Sequence, residues 1–555
     1  MIRLFDTHHI RGCKELDGMW NFKMDGFDAS YSLPVPGCWE QHPDFLQHRG
    51  KGTYTKSVYI EKDSNLRLEF KGVSHTADVY FDGIKVAHHY NAFTPFSVIL
   101  LNIAKGNHEI KVRVDNTFGE HSALHIPNDY YTYGGITRPV SLEYIDNAYI
   151  KHIRFVPSLK NNVWSASIEV DVENVSDSTV NAAVTAELCG ISFDSEKLEI
   201  QPHTLKTFSF ESRFDDIKPW NVGEPNLYML NTVLSLNGNI ADDMIERVGF
   251  RTVEFSDTRL ILNGKPVYLK GFNRHEDYAV DGCAVTLQHM VQDMDLMQEA
   301  NANAVRTCHY PNDERFLDLC DERGMMVWEE NHARGLLLPD MQNPNFEKQC
   351  EDCIQEMIEN HYNHPSIVIW GILNECAAET REGREMYKKQ FEQIKSMDTS
   401  RPTTSATCRH FTDITLDLED IVSFNMYSGW YKNCPIAERN DQEIEWIKKS
   451  GGDNKPIIVS ELGAAAIYGY RDRSHCKWSE ERQADLIREN LEVYMNDDRI
   501  TGVFIWQFAD CRVTEEGEWF ATRARCHNNK GLVDEYRRPK LAFDTAAEMF
   551  KKYGF

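Results

Sequence analysis

Two glutamates, Glu375 and Glu461, each end a short run of β-branched and apolar residues. The runs IVIWGILNE and KPIIVSE are typical of buried strands, and the C-terminal tips of parallel strands form the active face of barrel enzymes. Two carboxylates at such tips can serve as general acid/base and nucleophile. A single glutamate at a strand end more often caps a helix or faces solvent, but the pair predicts one shared catalytic pocket.

From residue 251 onward, strand-like runs alternate with helical patterns, which is typical of parallel α/β architecture. The candidate strands are VYLKGFN, AVRTCHY, MMVWEEN, IVIWGILNE, PTTSAT, IVSFNMY, PIIVSEL and GVFIWQF. Eight strands predict a closed (β/α)₈ TIM barrel, with Glu375 ending the fourth strand and Glu461 the seventh. An open doubly wound sheet is the alternative, but no GxGxxG follows a strand. The last residues, RPKLAFDTAAEMFKKYGF, are expected to form the closing helix.

The part of the chain before residue 251 is rich in short alternating runs, such as LRLEFKGV and HEIKVRVDN, separated by Gly, Asn and Asp. This pattern predicts two β-sandwiches, the second of immunoglobulin-like size. We therefore expect a multidomain protein with a β-sandwich at 1–145, an immunoglobulin-like β-sandwich at 146–250 and the barrel at 251–555.

Composition limits the classes of partner. The 555 residues carry 60 Lys and Arg against 86 Asp and Glu, a net charge of −26. With no basic stretch, the chain is not expected to bind nucleic acid or an anionic membrane, and an anionic ligand would need a local cation. No apolar run reaches the length of about 20 residues that spans a bilayer, and the start lacks an apolar leader. The 14 cysteines are scattered, so we expect a cytoplasmic protein with reduced thiols.

Four segments carry a family resemblance: GFNRHEDYAVDG, NANAVRTCHYPNDERFLDLCDERGMMVWEEN, HPSIVIWGILNE and IVSELG. Together they resemble glycoside hydrolase family 2, whose members have a sugar-binding-like jelly-roll sandwich, an immunoglobulin-like sandwich and a TIM barrel. The resemblance implies that Glu375, preceded by Asn374, is the general acid/base, that Glu461 is the nucleophile, and that no cofactor is used. A gap of about 5 Å between the carboxyl groups means retention. A nucleophile must be ionised, so a low pKa is expected for Glu461.

Three further segments resemble the β-glucuronidase branch of this family. In NNKG, Asn528 and Lys530 match an Asn-x-Lys motif that holds a uronate carboxylate. In FNMYSGWY, Tyr427 and Tyr431 match residues near the nucleophile and the sugar, and in NDYYTYGGITRPV, Asp129 matches an acid that binds sugar hydroxyls. Taken singly, such a tripeptide is common in solvated loops, aromatic residues at strand ends often pack, and Asp is ordinary in turns.

One segment departs from the branch. EENHARGLLLPD places Arg334 after the third strand. An arginine there could donate a charge-assisted hydrogen bond to an axial C4 hydroxyl, as in galacturonides, or pair with a neighbouring acid on the surface. The surface pair is the favoured interpretation, and the choice between glucuronide and galacturonide stays open.

Histidines and carboxylates at barrel strand ends also fit a zinc site, here His275, Glu276, Asp277 and His309. The resemblance instead makes His309 a pocket residue and Trp506 the floor beneath the apolar face of the sugar, with core packing as the alternative for Trp506. No metal is therefore expected.

These observations predict an exo-acting, retaining β-hexuronidase that hydrolyses β-D-glucuronides, β-D-galacturonides or both, and that forms a homo-oligomer as related enzymes commonly do. The alternatives are a β-galactosidase or β-mannosidase of the same family, a non-catalytic carbohydrate-binding protein, and a metal-dependent amidohydrolase.

Overall fold

The computed structural model describes residues 2–256, 258–515 and 522–553, which form two antiparallel β-sandwiches followed by a closed parallel barrel. This architecture confirms the predicted fold class. Among the helices of these residues, none has both the length and the apolar character needed to cross a bilayer.

The first sandwich packs a six-stranded sheet against a four-stranded sheet. In spatial order, the larger sheet contains Tyr31–Val35, Gly18–Met24, Lys51–Ile60, Gly106–Asp115, Thr76–Phe81 and Ile84–Tyr90. The smaller sheet contains Gly12–Glu15, Val140–Ile145, Ser64–Phe70 and Phe96–Ile103. Trp20 and Tyr54 from one sheet and Leu68 and Leu142 from the other lie in one core, so the inner faces of both sheets exclude water.

The second sandwich is smaller. One sheet contains Ala148–Lys160, Val163–Asn174 and Leu205–Phe214, and the other contains Ile191–Asp194, Val180–Leu188, Tyr228–Leu236 and Asn239–Val248, with Leu198–Ile200 on the edge of Val180–Leu188. Every second residue of Val163–Asn174 is buried, which is the period-2 pattern of a strand with one face on a core. The alternation seen in the sequence therefore does fix the inner face.

Eight parallel strands close the barrel, and each matches one of the predicted runs. They are β1 Leu269–Asn273, β2 Ala304–Thr307, β3 Met326–Glu330, β4 Ile367–Ile372, β5 Thr403–Thr407, β6 Val422–Asn425, β7 Ile457–Leu462 and β8 Ile500–Ile505. Every residue of these strands is buried, because helices cover the outside and side chains fill the inside. An antiparallel meander, Val253–Ser256, Arg259–Leu262 and Lys265–Val267, leads into the barrel.

The helices around the barrel are α1 Leu287–Glu299, α2 Glu314–Arg323, α3 Leu338–Met341, α4 Phe346–His361, α5 Arg381–Met397, α6 Ile436–Ile447, α7 Glu480–Tyr494 and α8 Leu541–Lys552. The helix α8 is the closing helix predicted from the sequence. Residues 408–421, all of them described, contain no helix between β5 and β6. The strict strand and helix alternation expected from the sequence is therefore broken once.

A loop of the first sandwich reaches the mouth of the barrel. The Asn128 side chain donates to the Arg334 carbonyl at 3.1 Å, and the Tyr130 hydroxyl lies 3.0 Å from His332 Nε2. The Thr514 hydroxyl, from the segment after β8, donates to the Tyr130 carbonyl at 3.1 Å. The sandwich and the barrel therefore build one rim together.

Candidate active site

A cavity of about 320 Å³ opens at the C-terminal end of the barrel strands. Most of the predicted site residues line it: Asp129, Arg334, Glu375, Tyr427, Tyr431, Glu461, Trp506 and Lys530. His309, Asn374 and Asn528 are buried behind its wall. The structure thus brings the two glutamates to one cavity, as the strand count predicted.

Glu375 lies three residues beyond the end of β4 with φ +55°, in the left-handed region that a non-glycine residue seldom adopts. Its amide donates to the Ala406 carbonyl at 2.8 Å, which holds this backbone in place. The carboxylate accepts from Asn425 Nδ2 at 2.9 Å and from Arg334 Nη2 at 3.3 Å. Strained backbone of this kind is concentrated at functional sites, and here it aims the carboxylate into the cavity.

Glu461 lies within β7, and both of its carboxylate oxygens are hydrogen-bonded. The Tyr427 hydroxyl donates to Oε2 at 2.6 Å and Arg306 Nη1 donates to Oε1 at 3.2 Å. Burial and the neighbouring Glu375 carboxylate nevertheless raise the pKa of Glu461 to about 7, against the opposing effects of Arg306 and Tyr427. The expected low pKa is therefore wrong, because two carboxylates share one enclosed cavity.

Arg306 organises the floor behind the two carboxylates, although its part was not predicted. Its guanidinium donates to both oxygens of Glu330 at 2.9 Å and to Asn374 Oδ1 at 2.9 Å, besides Glu461. The same Glu330 lies 2.9 Å from His309 Nδ1. Within the described part of the chain, Asn374 Nδ2 and His309 Nε2 have no hydrogen-bond partner. Arg306 thus orients two side chains that each keep one polar atom without a partner among the described residues.

Trp506 forms one wall of the cavity. Its ring stacks on His309 with centroids 5.0 Å apart and planes 18° apart, and it meets His275 edge to face at 5.4 Å. Because Trp506 both lines the cavity and packs on buried rings, the floor and core-packing interpretations are compatible.

Asp129 closes one end of the cavity with a partner missed from the sequence, Arg523. The Arg523 guanidinium donates to the Asp129 carboxylate at 2.7 and 2.5 Å, and Asn528 Nδ2 donates to it at 3.0 Å. Burial opposes ionisation, but Arg523 and Lys530 outweigh it and hold the pKa of Asp129 below its usual range. Asn528 therefore anchors Asp129 rather than lining the cavity.

Lys530 lies at the same end and is 2% exposed. Its ammonium lies 5.7 Å from the ring centroid of Tyr427 and 5.2 Å from that of Tyr431. No carboxylate of residues 2–256, 258–515 or 522–553 forms an ion pair with it. A buried cation without a direct ion-pair partner is costly, and Asp129, the acid at this end, is already bound by Arg523. This geometry therefore favours an anionic group of a ligand.

Arg334 is held inside the rim rather than on the outer surface. Its Nη1 donates to Asn128 Oδ1 at 3.0 Å and its Nη2 donates to Glu375 at 3.3 Å. The expected pairing with a neighbouring acid is present, but the acid is the candidate general acid/base and the pair lines the cavity. The surface interpretation of Arg334 is therefore wrong.

The residues that could bind a metal differ from the set predicted from the sequence. His275 and His309, with Cys308, place ligand atoms within 4.8 Å of one another. Glu276 instead accepts hydrogen bonds from Arg138 Nη2 at 2.7 Å and from the Asp313 amide at 2.7 Å. Burial raises the pKa of the Cys308 thiol well above its usual range, which opposes the thiolate that a metal requires.

Comparison with known proteins assigns the family. The model described as "Glycosyl hydrolases family 2, TIM barrel domain" matches residues 253–554, and the model described as "Glycosyl hydrolases family 2" matches residues 148–251. The first match alone covers more than half of the chain.

Individual relatives agree with this assignment. The solved β-galacturonidase of Eisenbergiella tayi bound to galacturonate is 47% identical, with a TM-score of 0.97 over 100% of both chains. The β-glucuronidase of Streptococcus agalactiae serotype V is 27% identical over 96% of this chain and 94% of its own. The β-galactosidase of Thermoanaerobacterium thermosulfurigenes is 30% identical over 97% of this chain and 73% of its own. The protein belongs to glycoside hydrolase family 2.

Proposed function

We propose that the protein is an exo-acting, retaining β-hexuronidase. The observation that carries this proposal is Lys530, a buried cation that lines the cavity with Glu375 and Glu461 and forms no ion pair with any residue of 2–256, 258–515 or 522–553. A uronate carboxylate placed there gives Lys530 a direct ion-pair partner. The named activities of the Eisenbergiella and Streptococcus relatives, both of which act on hexuronides, support the same substrate class.

The reaction is proposed to proceed by double displacement without a cofactor. The Glu461 carboxylate attacks the anomeric carbon and forms a glycosyl ester, while Glu375 gives its proton to the departing oxygen. Water then attacks the same carbon, Glu375 takes the proton of that water, and the Glu461 carboxylate leaves. In both steps Tyr427 and Arg306 stabilise the charge on Glu461 when it is free.

The other contacts are proposed to orient the sugar. Asn374 Nδ2 and His309 Nε2, whose partners within the described ranges are absent, suit ring hydroxyls. Asp129 accepts from hydroxyls near the carboxylate end, and Trp506 supports the apolar face of the ring. Asn528 contributes through its bond to Asp129.

Within the hexuronides, we propose a preference for β-D-galacturonides over β-D-glucuronides. Arg334 projects a guanidinium into the cavity, where it can donate to an axial C4 hydroxyl. The Eisenbergiella enzyme, 47% identical, was solved with galacturonate. A comparison of kcat/KM for the two 4-nitrophenyl uronides tests this preference, and a faster glucuronide would contradict it.

A β-galactosidase is the second candidate, because the Thermoanaerobacterium relative carries that name. The two candidates are separated by 4-nitrophenyl β-D-hexuronides, galactoside and mannoside. We expect uronides to be hydrolysed at least about 100-fold faster, since an unpaired buried carboxylate or ammonium costs about 3 kcal/mol or more. A neutral glycoside as the best substrate would exclude the hexuronidase.

Lys530→Met tests directly whether Lys530 recognises the uronate carboxylate. Removing the ammonium should abolish most of the preference for uronides over neutral glycosides, and Lys388→Gln, an exposed lysine on α5, serves as the control. An equal loss on uronides and neutral glycosides would mean that Lys530 supports the cavity without recognising the carboxylate. If Glu461→Gln binds and turns over the substrates like the parent protein, the alternative of a non-catalytic protein is favoured instead.

We also propose that the enzyme acts as a homo-oligomer in the cytoplasm, with domains at 1–145, 146–250 and 251–555. The fourteen cysteines form no disulfide in the described structure, which supports a reducing compartment.

A further inference from the structure

The cavity continues past Glu375 into a second part, which we call the outer lobe. Its walls come from the segments after β5 and β6 and from the first turn of α6. They contain Cys408, His410, Ser428, Lys432, Cys434 and Arg439. None of these residues takes part in the reaction described above, so that reaction assigns no role to the outer lobe.

The outer lobe adjoins the side of the cavity from which a leaving group departs. β5 pairs with β4, and Arg409, between Cys408 and His410, donates to the Glu375 carbonyl at 3.4 Å. Asp129, Arg523 and Lys530 line the part of the same cavity in which the uronate is proposed to bind. With the uronate of an exo-substrate beside Lys530, we expect the group released at Glu375 to extend toward the neighbouring Cys408–His410 segment, in the outer lobe.

The charge of the cavity wall is opposite to that of the whole chain. Acidic residues outnumber Lys and Arg by 86 to 60 in the sequence. Along the cavity wall the basic side chains are Arg334, Lys432, Arg439, Arg523 and Lys530, and the acidic side chains are Asp129, Glu375 and Glu461. None of these three acids belongs to the outer lobe as defined above, so no carboxylate of the described residues lines it.

The cations of the outer lobe are only partly neutralised. Lys432 is exposed and forms no ion pair with any described residue. Arg439 Nη2 lies 3.2 Å from the buried Glu443, which also lies 2.8 Å from His410 Nδ1. A single carboxylate thus serves an arginine and a histidine, and Lys432 adds a charge that no described residue pairs with.

From these observations we propose that the outer lobe is a leaving-group subsite for an anionic aglycone, namely a second uronic acid residue. The proposal rests on the hexuronidase function above and specifies its substrate: an acidic oligosaccharide in which one uronate is β-linked to another. Lys432, aided by Arg439, attracts the carboxylate of the second sugar. Because Lys432 is exposed, its effect is modest and sensitive to salt.

The test uses two disaccharides that share the preferred non-reducing β-uronate and the same linkage. In one the second sugar is a hexuronate, and in the other it is the matching neutral hexose. The measured quantity is the ratio of kcat/KM for the acidic disaccharide to that for the neutral one. Intrinsic reactivity cancels when this ratio is compared between enzyme variants.

We expect the ratio to exceed one in the parent enzyme, to fall about two- to fivefold in Lys432→Gln, and to fall further in Lys432→Glu. It should also fall toward one when NaCl is raised from about 0.1 M to about 1 M, where the screening length shrinks from about 10 Å to about 3 Å. Lys388→Gln, on the outer helix α5 and away from the cavity, should keep the parental ratio.

Hydrolysis of both disaccharides with a ratio that Lys432→Gln and Lys432→Glu leave unchanged would overturn this inference and leave the proposed function standing. If the protein hydrolyses neither disaccharide and no chromogenic uronide, both this inference and the proposed function are overturned.

Discussion

The hydrogen bond from the Tyr427 hydroxyl to Glu461 sets the pH dependence of the proposed nucleophile. At 2.6 Å it is a short, charge-assisted bond to the ionised carboxylate. Such bonds contribute about 1.5–3 kcal/mol, and one pH unit corresponds to about 1.36 kcal/mol. Tyr427→Phe should therefore raise the pKa of Glu461, already about 7, by about one to two pH units.

The direction of the effect on activity follows from the form that reacts. Attack requires ionised Glu461, which predominates above its pKa and is lost as the pH falls through it. A higher pKa moves the acidic limb of kcat/KM to higher pH, so the variant should lose most activity in acidic buffer and least in alkaline buffer.

The assay is the pH profile of kcat/KM for a chromogenic uronide between about pH 4 and 9. Tyr431→Phe is the matched control, because it removes a hydroxyl from the same cavity wall, near Lys530 instead of Glu461. We expect its acidic limb to coincide with that of the parent. An acidic limb of Tyr427→Phe that is unmoved, or moved to lower pH, would refute the reasoning.

Three further predictions concern binding, stability and metal. Asp129→Asn weakens the two bonds to Arg523, so initial rates should show KM rising about tenfold with a smaller change in kcat; an unchanged KM would contradict this role. Asp293→Asn leaves the buried guanidinium groups of Arg274 and Arg537 without their anion. In urea unfolding this variant should lower the free energy of unfolding by about 3–5 kcal/mol. Asp295→Asn, exposed on the same helix, is the control and should change it by less than about 0.5 kcal/mol. Incubation with a chelator should leave kcat/KM unchanged, and a loss restored by zinc would instead implicate His275, Cys308 and His309.

Much of the fold could be predicted from the sequence because burial leaves a local pattern. The barrel strands are continuous apolar runs followed by polar residues, and the sandwich strands alternate. The missing helix between β5 and β6 could not be predicted from the count of eight strands, since a connection without a helix still leaves both strands fully buried. Two residues of this connection, Cys408 and His410, instead line the outer lobe.

The candidate site was predictable only where a residue belonged to a recognisable segment. Arg523 and Asp129 are 394 positions apart, and Arg306 contacts Glu330 and Glu461 from different strands. Nothing near these arginines in the sequence marks their partners. A useful signal was available in the charge balance: Asp129 and Glu461 are buried acids, and buried acids require cations.

The loop that carries Asn128, Asp129 and Tyr130 belongs to the first sandwich, yet it completes the wall where the sugar carboxylate is expected. Catalytic activity therefore depends on how the first sandwich docks onto the barrel, where Phe93 and Tyr130 pack with Tyr310 in one apolar cluster. Heat or a protease that loosens the contact between this loop and the barrel should inactivate the enzyme while the eight barrel strands are still folded. Engineering for heat tolerance would accordingly begin at this contact.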